Sequence, residues 1–249
     1  GFTPTDTDGR RMMLTMAAIA ASRLLIANSF RDLSPEVLHD LSRTFPYYHE
    51  RHSARPVDAF VRNGWPQVYD FAVNPQWHQV VFYNNLLPTK ATDISVSLSG
   101  ASVDDALNLD AGKDYYVYDF WNHHFVGRLK GSEKLTQTLR PGEARMLSVH
   151  EVESHPQFIS TDRHILQGYV DMVKLPVWNA KQQTLSGSSQ VIGGETYQIV
   201  IALNGSHAVK ATAKNAAIRV EPYPGNDNLA LLKIDALKNS TVDWNLICN

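Results

Sequence analysis

The sequence predicts a mainly β protein: a short α-helical segment at the N-terminus, followed by two antiparallel β-sandwich domains. Three observations predict it. Residues 12–37 read MMLTMAAIAASRLLIANSFRDLSPEV, an alanine-rich apolar stretch, a short apolar run and a turn that opens a second helix. From about residue 56 the hydrophobic period changes to two, the value for strands. Turn residues then recur at intervals of roughly 8–12 residues, the spacing of all-β sandwiches. The predicted domains are 1–55, 56–152 and 153–249.

The elements follow in order. Thr7 or Asp8 can cap a helix beginning near Arg10, because a hydroxyl or carboxylate accepts the unpaired N–H groups of the first turn. The polar positions Arg11, Thr15 and Ser22 fall on one narrow stripe, and the rest is Met, Leu, Ile and Ala. Such a helix is expected to be buried on several sides. Leu24-Leu25-Ile26-Ala27 is too short for periodicity to separate helix from buried strand. A second helix starts at Ser34 as N-cap, with Pro35 at the first helical position and Glu36 at the positive end of the dipole. Val37, Leu38 and Leu41 supply its apolar face, and Pro46 ends it at Phe45 or before.

Residues 47–57, YYHERHSARPV, make a polar bridge into the β region. Strands are predicted at 58–61, 67–73, 78–84, 93–98, 115–120, 124–129, 135–139 and 144–149, separated by turns such as Asn63-Gly64, Asn74-Pro75 and Pro141-Gly142. After His155-Pro156 a second set is predicted at 158–160, 168–175, 183–186, 196–203, 208–213, 218–222, 230–234 and 242–247. Its turns are Gly187, Gly193-Gly194, Asn204-Gly205 and Pro224-Gly225-Asn226.

Composition narrows the function. Apolar residues make up 43% and charged residues 19%, values of a soluble globular protein with a sizeable core. The net charge of −2, with no long Lys or Arg run, argues against nucleic acid as a partner. The longest apolar stretch, residues 16–21, is too short to span a bilayer, so no membrane partner is expected. The single cysteine, Cys248, allows neither an intrachain disulfide nor a Cys-based zinc site. No signal peptide is visible, and the compartment is left open.

The N-terminal order of helix, apolar run, loop and helix start looks like the end of a (β/α) barrel. A barrel needs about 250 residues, far more than the stretch that precedes the change of composition. The chain is therefore expected to be the C-terminal part of a larger enzyme. Leu25-Ile26-Ala27-Asn28-Ser29-Phe30-Arg31-Asp32-Leu33-Ser34-Pro35-Glu36 resembles the end of the catalytic barrel in the melibiase, or α-galactosidase-like, glycoside hydrolases. Asn28, Arg31, Ser34 and Pro35 are kept, and Ser29 stands where the family usually has Asp. Pro141-Gly142-Glu143-Ala144-Arg145-Met146-Leu147 looks like the penultimate turn and last strand of the β-sandwich that abuts such a barrel.

The resemblance implies a bacterial retaining α-glycosidase, with a carboxylate nucleophile and an acid about 5 Å apart. Both lie on barrel strands upstream of this segment. Asp6 and Asp8 match neither, so no catalytic residue is carried over, and Asp8 reads as a helix cap. No substrate-binding residue is assigned. The expected function is a non-catalytic C-terminal portion that supports the catalytic barrel and shapes the substrate site, in a periplasmic or secreted parent. The expected partners are the missing barrel and, through it, a carbohydrate. Met12, Met13, Ile19 and Leu24 would pack against barrel parts; without them a homodimer, or the helix folded back on the first sandwich, is expected.

Other groups carry weaker signals. Arg31 and Asp32 could reach a sugar from the last barrel loop, but pairing with neighbouring elements is the favoured reading. His123 and His124 point to opposite faces of a strand, and His49 and His52 lack a third ligand, so no metal site and no cofactor is predicted. Tyr115, Tyr116, Tyr118, Phe120 and Trp121 could form a sugar-stacking platform. Alternation places Tyr115 and Trp121 on one face and the other three on the opposite one. Trp178 and Trp244 read as core. Gly193-Gly194 opens no helix and is no phosphate loop, no G-x-S-x-G elbow exists, and Gly187-Ser188-Ser189 reads as a turn. Asn204-Gly-Ser206 and Asn239-Ser-Thr241 are formal glycosylation sequons. The aromatic residues on predicted strands motivate an alternative: a carbohydrate-binding or adhesion module with no enzymatic parent.

Overall fold

A computed structural model describes residues 6–26, 29–48, 52–62, 64–85, 89–101, 103 and 105–249 of the chain. The protein is mainly β, with antiparallel sheets and two helices among the described residues. It divides into two compact units, Gly1–Val152 and Glu153–Asn249.

In the first unit, helix α1 spans Thr7–Ile19. Its N-cap is Asp6, in place of the expected Thr7 or Asp8: the Asp6 carboxylate accepts the Gly9 N–H at 2.6 Å. Arg10, Leu14, Thr15, Ala18 and Ile19 are buried, a stripe of i, i+4 neighbours. The helix is thus buried on one side, not several, and Met13 on another side is 43% exposed. Ile19, expected to await a missing barrel, is wholly buried. Residues 22–26 form neither helix nor strand, and Leu25 is 80% exposed. A strand exists only where a neighbour takes up its backbone groups, and none of the described strands does so here.

A short 3₁₀ helix covers Phe30–Asp32, with the Ser29 hydroxyl accepting the Arg31 N–H at 3.3 Å. Helix α2 spans Pro35–Ser42, opened by Ser34 as N-cap and Pro35 at its start, as the sequence predicts. Val37 and Leu41 are buried, but the third buried position is Asp40, not Leu38.

The β elements of this unit are β1 Arg55–Pro56, β2 Val68–Asn74, β3 Trp77–Tyr83, β4 Thr92–Ser97, β5 Asp114–Asp119, β6 His124–Lys130, β7 Lys134–Leu139 and β8 Ala144–Glu151. Six form a sheet in the order β1-β2-β3-β8-β5-β6, and β4 pairs with β7. Alternate residues Val68, Val80, Phe82, Val117, Leu147 and Val149 face Ile94, Val96, Leu135 and Leu139 in one core. The residues between them, Phe71, Val81, Tyr116, Tyr118 and Met146, are buried as well. The large sheet is therefore buried on both faces, and α1 packs against β8 and β3. Residues 58–61, predicted as a strand, form a turn. The cause is Asp58, whose carboxylate accepts the Gln67 and Val68 N–H groups at 2.9–3.2 Å and closes a loop.

The second unit comprises β9 Gln157–Thr161, β10 Met172–Asn179, β11 Thr184–Val191, β12 Thr196–Ala202, β13 Ala208–Ala213, β14 Ala217–Pro222, β15 Leu229–Asp235 and β16 Ser240–Cys248. They make two four-stranded antiparallel sheets, β10-β11-β16-β13 and β14-β15-β12-β9. Strand β16 alternates cleanly, with Val242, Trp244, Leu246 and Cys248 inside. Two predictions fail here. Gly187-Ser188-Ser189 is no turn but the middle of β11. Gly187 pairs with Trp244, and a Cβ on it would sit 2.5 Å from the indole ring, so the residue is small to make room. The strand predicted at 168–175 begins only at Met172, because the Asp171 carboxylate accepts the Gly168 N–H at 3.0 Å and folds the preceding residues into turns.

Candidate functional site

The first turn of α1, the tip of the β5–β6 hairpin and the start of β8 enclose an open cleft of about 370 Å³. Asp6, Thr7, Asp8 and Arg11 line it from the helix. Trp121 and Asn122 come from the hairpin, and Arg140, Glu143, Ala144 and Arg145 from the turn before β8 and the strand itself.

Its charges run in an alternating chain. Asp8 lies 2.7 Å from Arg140, whose Nε is 3.4 Å from Glu143. Glu143 in turn lies 2.7 Å from Arg145, and Arg145 3.2 Å from Asp119. The Asp119 carboxylate also accepts the Asn122 amide at 2.5 Å. Burial pushes the Asp119 carboxyl above its ordinary pKa, against the pull of Arg145.

Behind the cleft, Asp40 of α2 is 1% exposed and takes two guanidiniums, Arg10 at 2.7 Å and Arg11 at 3.2 Å. Arg11 also stands 4.9 Å over the Trp121 ring and donates to the Trp121 carbonyl at 3.3 Å. The Trp121 indole N–H donates to the Thr15 hydroxyl at 2.8 Å. These contacts tie α1 and α2 to the sheet. His123, beside them, is held below the usual histidine range by burial first, and then by Arg11, His39 and Arg43.

Chemically the cleft offers hydrogen bonds, not an acid–nucleophile pair. Asp8 and Glu143 are each held by guanidinium, and Asp6 is a helix cap. Asp119 lies beneath Arg145 and Asn122. A retaining glycosidase needs one free carboxylate and one proton-bearing carboxyl facing the same sugar.

The predicted site residues are scattered. Arg31 and Asp32 are exposed on the 3₁₀ helix, and among the described residues neither joins an ion pair. His49 lies outside the described residues. His52 packs its ring 4.5 Å from that of Phe71. His123 turns at the hairpin tip and His124 begins β6. Among the described residues no group of three His, Cys, Asp or Glu could hold a metal ion. Tyr115, Tyr116, Tyr118, Phe120 and Trp121 are all buried, so they form no exposed platform. Trp244 is core, its indole N–H on Ser189 at 3.1 Å. Trp178 is not: it lies half-buried on β10, stacked on His155 with ring centroids 5.6 Å apart. Asn204 has its amide engaged by the His155 carbonyl at 2.7 Å, while Asn239 is exposed.

The residues that build the cleft were missed. One signal was available: Asp40 falls three residues from Val37 on the apolar stripe of α2, and Arg10 four before Leu14 on that of α1. A charge on each of two buried stripes asks for a partner.

No protein family and no curated protein matches the chain by sequence. Solved structures do. One is a GH27 β-L-arabinopyranosidase from Geobacillus stearothermophilus, at 20% identity and TM-score 0.45, matched over 59% of this chain and 31% of that one. Another is alpha-galactosidase I from Mortierella vinacea, at 15% identity and TM-score 0.45, over 60% and 37%. A third is the isomalto-dextranase of Arthrobacter globiformis T6, complexed with panose, at 14% identity and TM-score 0.41, over 97% and 48%. The chain thus spans about a third of the first two and about half of the third.

Proposed function

We propose that this chain is the C-terminal portion of a bacterial, α-galactosidase-like retaining glycosidase and carries none of its catalytic acids. The observation behind this reading is the N-terminal segment. It joins the barrel-end motif of residues 25–36 to two helices fastened to a sandwich through Asp40, Arg10, Arg11 and Trp121. That fastening would hold a barrel's last helices against the sandwich. The cleft beside it supports the same reading, since its carboxylates are engaged by arginines or as a cap. The buried state of the strand tyrosines and Trp121 takes away the motive for a free-standing adhesion module.

The test is an assay of this chain and of its full-length parent on aryl α-galactosides and related aryl glycosides. The parent is expected to turn over and the chain not to. Turnover by the chain alone would sink the reading.

A further inference from the structure

We infer that the cleft between α1 and β8 is a binding site for a neutral, hydroxyl-rich ligand, one sugar unit of a glycan. Three features of the site carry this. Its size, about 370 Å³, lies in the range of small-molecule sites. Its lining is balanced: Arg11, Arg140 and Arg145 face Asp6, Asp8 and Glu143. Its guanidiniums are already neutralised, Arg140 by Asp8 and Arg145 by Glu143, both at 2.7 Å.

Balance selects the ligand. An anion or a cation at the cleft floor would have to displace the pair of Arg145 with Glu143, whose side chains are 23% and 7% exposed, and leave a partly buried charge uncompensated, which is costly. A polyol breaks nothing. Each guanidinium has five N–H donors and each carboxylate about four acceptor positions, more than the ion pairs use. Sugar hydroxyls both donate and accept, so they can add to the ladder at Asp8, Arg140 and Arg145. Asn122 is exposed at the rim and supplies a further amide. Trp121 contributes no stacking face, because Arg11 covers its ring.

The position adds a role that rests on the reading proposed above. If α1 is an outer barrel helix, its N-terminus lies on the face where strand ends and active-site loops lie. The cleft opens at that N-terminus, and its carboxylates Asp8 and Glu143 are held by arginines. It would hold a distal unit of the glycan, not the one cleaved.

The experiment titrates this chain with raffinose, with maltotriose and with sodium glucuronate, following the Trp121 indole N–H by NMR. A neutral sugar is expected to shift that signal at millimolar concentration, and glucuronate not. Thr7→Trp, which fills the mouth from an exposed helical position, is expected to abolish the shift. Arg140→Ala is expected to weaken binding about tenfold. The inference is overturned if neither neutral sugar shifts the signal, if the shift survives Thr7→Trp, or if glucuronate binds as well. Parent activity is scored apart: an active parent with a silent cleft removes this inference alone, and a sugar-binding chain with an inactive parent removes only the enzymatic reading.

Discussion

Asp40 is a single carboxylate serving two guanidiniums in a nearly solvent-free place. Truncating it would leave Arg10, itself 7% exposed, without its counter-charge. Breaking one side of a buried pair costs roughly 3–5 kcal/mol. Asp40→Ala is therefore expected to lower the unfolding free energy of the first unit by about that much, read as a lower urea midpoint, with α1 amides exchanging faster. An unchanged midpoint would show that the pair adds nothing. In the second unit a buried pair titrates. Asp171 and Tyr197 meet at 2.7 Å, and burial raises the carboxyl and lifts the phenol well above its ordinary value. For both, the folded state keeps its proton longer than the unfolded chain. Their contributions are present below the unfolded pKa values, about 4 and about 10, and are lost as pH rises through the folded ones. Stability should thus fall on the alkaline side above about pH 10. Tyr197→Phe should flatten that limb, as read from urea midpoints across pH. A limb of equal slope in the variant would refute the assignment.

Strand β11 shows what one residue does to an element. Glycine weakens a strand interior, which is why Gly187 reads as a break. Its true cause lies on β16, where Trp244 occupies the space of the absent side chain. Gly187→Ala is expected to cost about 1–3 kcal/mol through overpacking. The pair Gly187→Ala with Trp244→Phe should recover part of it, measured as denaturant midpoints. No recovery would mean that the clash is elsewhere. The same logic marks what was legible. Caps and starts that depend on neighbours in sequence, such as Ser34-Pro35 of α2, could be read directly. So could the strand Thr196–Ala202, which ends in a continuous apolar run, and the alternating strand Ser240–Cys248. Elements fixed by a distant side chain could not. Asp58 folds residues 58–61 into a turn by accepting the N–H of Gln67, nine residues on, and Arg10 meets Asp40 across thirty. The cleft's two sides meet through such remote pairings, Arg140 with Asp8 and Arg145 with Asp119, so no local pattern announced it.

At the scale of the molecule, the N-terminal segment leaves large apolar side chains in solvent. Met13, Leu25, Phe30, Leu38 and Phe45 are 36–80% exposed. Side chains of this kind, gathered on one segment, drive association. Sedimentation velocity is expected to show a dimer growing with concentration, which Leu25→Asp with Phe30→Asp returns to monomer. A monomer throughout would remove the homodimer from consideration. The second unit carries its own gauge. Cys248 is the chain's sole thiol and is 3% exposed, with its N–H on the Gln183 carbonyl at 2.8 Å. Burial raises its pKa, which keeps the unreactive thiol form at neutral pH. Alkylating reagents would therefore count openings of the last strand, one covalent mark per event, without any engineered label. Unhindered modification in the native protein would mean that β16 frays on the reagent's timescale. A slow rate that tracks denaturant would turn this lone sulfur into a clock for how often the terminal sheet comes apart.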